Sequence, residues 1–281
     1  MNSGIKRVVI EKVEGNRRSE KTDALAVEEP LEIQIGFVQH GERIHKAVSI
    51  TMRTPGNDAE LALGFLFAEG LLDSSKDVLS VESVGKPDPE TGRRNTLSIE
   101  LADGLIPDFK TLERNFYTTS SCGVCGKSSL DALQILCPVL PPDHFMVSPE
   151  VIHSLPSTLR AAQAVFDQTG GLHASALFDN EGNLLTLRED VGRHNALDKV
   201  IGAEFVAHRI PLSSRILLVS GRVSFELVQK TVRAGIPLLA AVGAPSSLAV
   251  ETAQRFGLTL LGFVREGKFN LYAGGQRIAD G

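Results

Sequence analysis

Two cysteines, Cys122 and Cys125, lie in the run Thr118-Thr-Ser-Ser-Cys-Gly-Val-Cys-Gly-Lys-Ser-Ser129. That spacing lets both sulfurs face one point, and Gly123 and Gly126 let the chain turn sharply around them. The small polar neighbours describe an exposed loop rather than core. Directly after it, Ser128 and Asp131 have the spacing of a capping box, and Leu130, Leu133 and Leu136 continue as a helix that Pro138 ends. A thiol with its ordinary pKa of about 8.5 is mostly protonated at neutral pH; a helix start and Lys127 raise the thiolate fraction. A nucleophilic sulfur is therefore reasonable here, with Cys122 or Cys125 accepting and passing on a persulfide. Two rivals stand behind that reading. A structural zinc site needs four ligands, and Cys137 falls at the far end of the helix, leaving only scattered histidines. A thioredoxin-like dithiol normally opens the first helix of a βα unit, a context missing here. Cys137, at helical spacing with Leu130 and Leu133, reads as a core residue.

A second group of residues sits where strands give way to helices: Asp190-Val-Gly-Arg-His-Asn195, Ser220-Gly-Arg-Val-Ser224 and Gly243-Ala-Pro-Ser-Ser247. In a parallel sheet such loops line up along one edge, where free backbone N–H groups and helix dipoles favour phosphate. Arg193 and Arg222 add forked donors suited to a pyrophosphate. Each loop alone is ordinary turn chemistry. Together, Ser220, Gly221, Arg222, Arg193 and His194 form a candidate site for a nucleotide-bearing ligand. Phe263, Val264, Arg265, Glu266, Gly267 and Lys268, at the end of the last strand, could lay an aromatic face and two cations beside it. His194, next to Arg193, reads as facing the ligand, whereas His173 at a strand start reads as a hydrogen-bonded core histidine. A nucleotide deaminase would need zinc ligands at the starts of the second and third helices. This chain offers His194 but no cysteine near Ser220–Glu226, so neither deaminase chemistry nor a metal is expected.

The elements that must position these groups follow from pattern. The chain has 281 residues, 42% hydrophobic and 22% charged, which excludes disordered, collagenous and disulfide-scaffold classes. Lys+Arg 29 against Asp+Glu 34 gives a net charge of -5, which disfavours nucleic acid as a partner. No apolar run has the length of a membrane span, and residues near the N-terminus do not form a signal peptide. Three clustered thiols suggest a reducing compartment, and a cytoplasmic protein is expected.

Residues 1–30 read as a mobile arm. Residues 31–145 read as a small α+β domain carrying the CxxC loop, with strands over Leu31–Ile35, Ile44–Thr51, Val78–Val84 and Asn95–Leu101 and a helix over Glu60–Glu69. Three prolines in Pro138–Asp143 mark the linker, with the boundary near residue 145. Residues 146–281 show a helix over Pro149–Asp167, a hairpin His173–Phe178 and Asn183–Glu189, then a helix from His194 to Ala207. Alternating strands and helices follow, as Arg215–Val219, Phe225–Ala234, Pro237–Val242, Ser247–Phe256 and Leu258–Val264. That order implies right-handed crossovers in a mainly parallel sheet covered on both faces. The fold class is α/β, a cytidine-deaminase-like three-layer α/β/α domain behind the smaller α+β domain.

Several longer motifs occur in a fixed order: Thr54-Pro55…Asp58…Glu60–Gly70, Ser121–Lys127, Thr169–Ala174, Glu189–Lys199, Ser220–Arg222, Phe225–Lys230 and Leu248–Val250…Thr259–Phe263. With these motifs the chain, from about residue 45 to its end, resembles the formate dehydrogenase accessory sulfurtransferases (FdhD type). The resemblance implies a cytoplasmic protein that takes sulfur from a cysteine desulfurase and delivers it to the molybdenum bis(molybdopterin guanine dinucleotide) cofactor of formate dehydrogenase. It further implies that Cys122 carries the persulfide, that Cys125 is its partner, and that Phe263–Lys268 matches the family's cofactor-binding loop. A non-catalytic cofactor-binding chaperone is the alternative, and a homodimer is left open by the sequence.

Overall fold

The computed structural model describes residues 4–109, 139–140 and 145–279. Cys122, Cys125 and Cys137, the helix expected after Ser128, and most of the proline linker lie outside the described residues.

The first residues correct the expected arm. β1 (Ile5–Glu14) and β2 (Arg17–Ala26) form an antiparallel hairpin, in register from Ile5 opposite Ala26 to Glu14 opposite Arg17. The two-residue turn Gly15-Asn16 carries it, with Gly15 at φ 60°. Charges mask the alternation that half-buries Ile5, Val8 and Ile10, and Arg18 bridges back to Glu11 at 3.2 Å.

β3 (Glu29–Gln39), β4 (Glu42–Arg53), β5 (Val78–Val84) and β6 (Thr96–Leu101) form a second sheet in the order β4-β3-β6-β5. β3 runs past its expected end at Ile35 through Gly36 to Gln39, and the turn falls at His40-Gly41. Alternation places Leu31, Ile33, Ile35 and Phe37 on the buried face with Leu97 and Ile99 of β6. Against that face lies α1 (Asp58–Ala68), which begins after Asn57 in the left-handed region.

The third sheet has the order β12-β11-β10-β9-β7-β8. Its strands are β7 (His173–Phe178), β8 (Leu184–Asp190), β9 (Ile216–Val219), β10 (Leu238–Ala241), β11 (Thr259–Arg265) and β12 (Lys268–Ala273). β9, β10 and β11 run parallel, while β7 is antiparallel to both its neighbours and β12 to β11. The expected helix over Pro149–Asp167 is broken at Gln163 (ψ 79°) into α2 (Pro149–Ala162) and α3 (Ala164–Thr169). α2 sets Ile152, Leu155 and Leu159 on one face of the sheet. α4 (Arg193–Val206), α5 (Phe225–Arg233) and α6 (Ser247–Phe256) cover the other, giving three α/β/α layers. Leu140, from the linker, is buried and its amide donates to Phe256 O at 3.0 Å.

The apolar core does not stop at the boundary near residue 145. Leu31, Leu61 and Leu66 share one cluster with Leu197, Val200 and Leu217. The seam is α1 against α4, and two glycines permit it. A Cβ on Gly64 would stand 1.9 Å from Asp198 O, and one on Gly202 would stand 1.8 Å from Glu60 O. α4 is thereby buried on nearly every side, which sets the environment of the polar residues in its first turns.

Candidate functional site

The site begins with a carboxylate at the end of β8. Asp190 is fully buried and accepts the amides of Gly192 at 2.8 Å and Thr54 at 3.1 Å, and the Asn195 Nδ2 amide at 3.1 Å. Lys199 Nζ completes the group, 2.7 Å from Asp190 and donating to Thr54 O at 2.8 Å. Asn195 also donates to Met52 O at 2.7 Å and accepts from Thr51 Oγ1 at 3.1 Å. This network ties the end of β4 to the first turn of α4. Gly192, the residue that starts α4, has no capping side chain of its own, so Asp190 orients that turn.

Between β3, β4 and α1 on one side and the starts of α4 and α5 on the other lies a cavity of about 530 Å³, in the usual range for a small-molecule site. Arg193, His194 and Asp198 reach it from α4, and Glu226 and Lys230 from α5. Lys230 Nζ lies 2.8 and 3.0 Å from the Asp198 carboxylate and 3.5 Å from Glu69. Burial pushes the Asp198 carboxyl up to about 6 against the pull of Lys230, so the pair is still ionised at neutral pH. His194 Nε2 sits 3.2 Å from Ser224 Oγ and 3.9 Å from Glu226. Burial, then the charges of Arg193 and Lys230, push the imidazole down to about 4. His194 is therefore neutral at physiological pH. Burial and Arg193 lower His173 as well, and His173 Nδ1 stands 3.2 Å from where a Cβ on Gly221 would be. Arg193 Nε is buried without a hydrogen-bond partner. An orphaned guanidinium donor at a cavity wall is a group set to meet a ligand acceptor.

A pH dependence follows from His194. Its folded value lies below the ordinary 6.5, so between 6.5 and about 4 the unfolded chain holds a proton that the folded chain does not. The His194 contribution to folding stability falls as pH drops through that window, while Asp198, raised to about 6, contributes in the opposite sense. Urea melts of wild type and His194→Gln isolate the first: between pH 6.5 and about 4 the wild type should lose stability relative to the variant, and equal slopes in the two proteins would remove His194 as a cause.

The residues expected from sequence divide between two places. Arg193 and His194 line the large cavity, and Gly221 adjoins it, since a Cβ there would lie 4.0 Å from Arg193 Cδ. Ser220 Oγ accepts the Ala174 amide at 2.9 Å, and the Arg222 side chain is exposed. Phe263, Arg265 and Lys268 line a separate cavity of about 470 Å³ together with Asn270. They are not one loop: β11 runs to Arg265, Glu266 and Gly267 make the turn, and Lys268 opens β12 opposite Arg265. Phe263 holds φ 54° with its ring exposed and its amide on Gly243 O at 3.1 Å. Val264 departs from the expected set. Its side chain is fully buried in the core beneath α2, so only its backbone could meet a ligand.

Asp190, Asn195, Asp198, Lys199 and Glu226 were not singled out by loop chemistry. A signal existed, since Asn195, Asp198, Lys199 and Gly202 recur at the helical spacing of a core-facing stripe where apolar residues belong. Among the described residues, no group of three or more His, Cys, Asp or Glu could hold a metal ion, and no helix is long and apolar enough to cross a membrane.

Parallel strands whose carboxyl ends feed Gly/Ser/Arg loops into helix starts define an α/β protein with a candidate ligand edge. The chain belongs to the FdhD/NarQ family, whose model matches residues 26–279. It is 51% identical over 265 residues to the sulfur carrier protein FdhD of Streptomyces coelicolor, covering 93% of this chain and 91% of that protein. To the sulfur carrier protein FdhD of Sulfolobus acidocaldarius it is 43% identical over 274 residues, covering 98% of each. A crystal structure from Desulfotalea psychrophila, described as that of a formate dehydrogenase accessory protein, superposes with a TM-score of 0.73 at 23% identity. That match covers 98% of this chain and 99% of the other, and it shows a shared fold.

Proposed function

We propose that this protein is a cytoplasmic sulfurtransferase. It accepts sulfur from a cysteine desulfurase as a persulfide on Cys122 and delivers it to the molybdenum bis(molybdopterin guanine dinucleotide) cofactor that formate dehydrogenase requires. The observation that carries this reading is the Ser121–Lys127 thiol motif in a chain half identical to proteins named sulfur carriers. The ligand edge supports it, because an orphaned Arg193 Nε and the Gly221 loop suit a phosphate-bearing substrate.

The chemistry balances as thiol–persulfide exchange. The Cys122 thiolate attacks the outer sulfur of the donor persulfide, the donor S–S bond breaks, and the desulfurase thiolate leaves with the electron pair. On delivery Cys122 would leave as its thiolate when the S–S bond breaks, and the two electrons that take the outer sulfur to sulfide would have to come from a reduced metal centre of the cofactor substrate. Incubation with desulfurase and cysteine followed by intact mass spectrometry should find one labile sulfur on the wild type and none on Cys122→Ala. A persulfide that persists in the variant, or is absent from the wild type, defeats the proposal. The second reading, a cofactor chaperone without sulfur chemistry, draws on the ligand edge alone. It requires that the Cys122→Ala, Cys125→Ala double variant still support active formate dehydrogenase, and the transfer reading requires that it not.

A further inference from the structure

The buried Arg193 Nε has no partner, which costs free energy while the site is empty, and a side chain with room to move would turn that group to water. The backbone beneath it is the start of α4, where no side chain caps the helix, and uncapped helix starts fray. Something outside the helix must therefore hold the turn. Arg193 and His194 lie between Gly192 and Asn195, and both flanks are tied down. The Gly192 amide donates to Asp190 at 2.8 Å. Asn195 Nδ2 donates to Met52 O at 2.7 Å and to Asp190 Oδ1 at 3.1 Å, and Asn195 Oδ1 accepts from Thr51 Oγ1 at 3.1 Å. Two acceptors on the one nitrogen fix which way the amide points. The fit is close, because a Cβ on Gly192 would lie 3.1 Å from Asn195 Nδ2. With its Cα held, Arg193 lies along the Gly221 loop, its Cδ 4.0 Å from where a Cβ on that glycine would be. Thr51 and Met52 belong to β4, so the clamp on this turn comes from the second sheet and not from the third, on which α4 packs.

We propose that Asn195 is a positioning residue for the Arg193 guanidinium and that the Thr51 hydroxyl of β4 holds Asn195 in that role, so that a strand of the second sheet completes an anion site on the third. Neither residue meets the anion in this role; both act through Arg193. The side-chain type is demanding. Asn195→Asp would set a second carboxylate against Asp190, and Asn195→Leu would leave Met52 O and Asp190 Oδ1 without that donor. A clamp of this kind keeps the forked donor aimed before the ligand arrives, so the ordering of the side chain is not charged against binding. The inference rests on the reading of the Arg193 and Gly221 edge as a phosphate site, and it names what keeps that site in place.

Thr51 is the place to test this, because Thr51→Val removes the hydroxyl and keeps the shape, whereas Asn195 variants strand buried acceptors. Inorganic pyrophosphate, titrated calorimetrically into the full chain, is the probe. Thr51→Val should weaken its binding about threefold to tenfold, as expected for one net hydrogen bond, and Thr51→Ser, which keeps the hydroxyl, should stay within about twofold of wild type. In an Arg193→Gln background Thr51→Val should have no further effect, since no guanidinium is left to aim. A second readout needs no ligand. The Arg193 Nε–H resonance, assigned by its loss in Arg193→Gln, should exchange with water at least about threefold faster in Thr51→Val than in wild type or Thr51→Ser. Unchanged affinity and exchange in Thr51→Val, failure of Thr51→Ser to restore them, or an equal loss of affinity with and without Arg193 overturns the assignment. A wild-type protein that does not bind pyrophosphate removes the anion site and the positioning role with it. Persulfide mass on Cys122, read on the same samples, keeps the two claims apart: a labile sulfur beside an unmoved Thr51→Val leaves the transfer chemistry without the clamp, and its absence beside the expected losses leaves the clamp without the transfer chemistry.

Discussion

Gly202→Ala should destabilise the protein by about 3 kcal/mol, the upper part of the usual range for overpacking a closed site. At an exposed helix position the same change stabilises by roughly 1 kcal/mol, because alanine is the better helix former, so the sign itself is diagnostic. The reason for the reversal is the 1.8 Å gap between the added Cβ and Glu60 O. The obstacle is backbone, and no rotamer change removes it; α1 and α4 must part. Parting them moves Asp198, whose own carbonyl stands 1.9 Å from the Cβ position of Gly64, and with it the ion pair to Lys230 inside the cavity. Equilibrium urea unfolding measures the loss, with Gly171→Ala as the control. There the new Cβ meets nothing closer than 3.7 Å and the effect should stay within about 0.5 kcal/mol. A Gly202→Ala protein as stable as wild type would show that the two helices can separate freely.

Asp190→Ala carries the second large expectation, a loss of about 3–5 kcal/mol, as for breaking a buried ion pair on one side. Asp190 and Lys199 are both sealed from water, so the variant leaves an ammonium with Thr54 O and the more distant Glu189 O as its partners. It also strands the buried amide of Thr54 and the partly buried amide of Gly192, donors that cost free energy when unpaired. The double variant Asp190→Ala, Lys199→Met should recover part of the loss, since it removes the uncompensated charge. The exposed pair Lys12–Glu14 offers the contrast, because breaking it should cost at most about 1 kcal/mol. Denaturation midpoints for the three proteins decide the matter: no recovery in the double variant would mean that the stranded amides, rather than the charge, dominate.

Much of the fold is legible in the sequence, because local rules are sufficient where they act alone. Alternation over Leu31–Ile35 marks β3, and a Ser246 cap with the left-handed Gly257 bounds α6 from Ser247 to Phe256. Local rules misled where two signals competed. The charge-rich first strands hid a hairpin whose Gly15-Asn16 turn was nonetheless present, and Pro156 did not reveal that the long helix would break at Gln163 instead. β12 has no counterpart among the expected strands, because the polar residues of Phe263–Lys268 are the exposed strand ends Arg265 and Lys268 and the turn residue Glu266 between them.

By itself the sequence determined the alternating α/β order, the thiol motif and the loops that would gather at the sheet edge, since each depends on residues near one another along the chain. Tertiary structure alone decided that Arg193 and His194 face one cavity while Phe263 and Lys268 line another. It alone joined Thr54 to Asp190 and Asp198 to Lys230, pairs 136 and 32 residues apart. Charge and burial act through space, so whether a polar residue in a helix is a solvated surface group or half of a sealed ion pair depends on what the fold packs against it. Here that is α1, admitted by two missing side chains at Gly64 and Gly202.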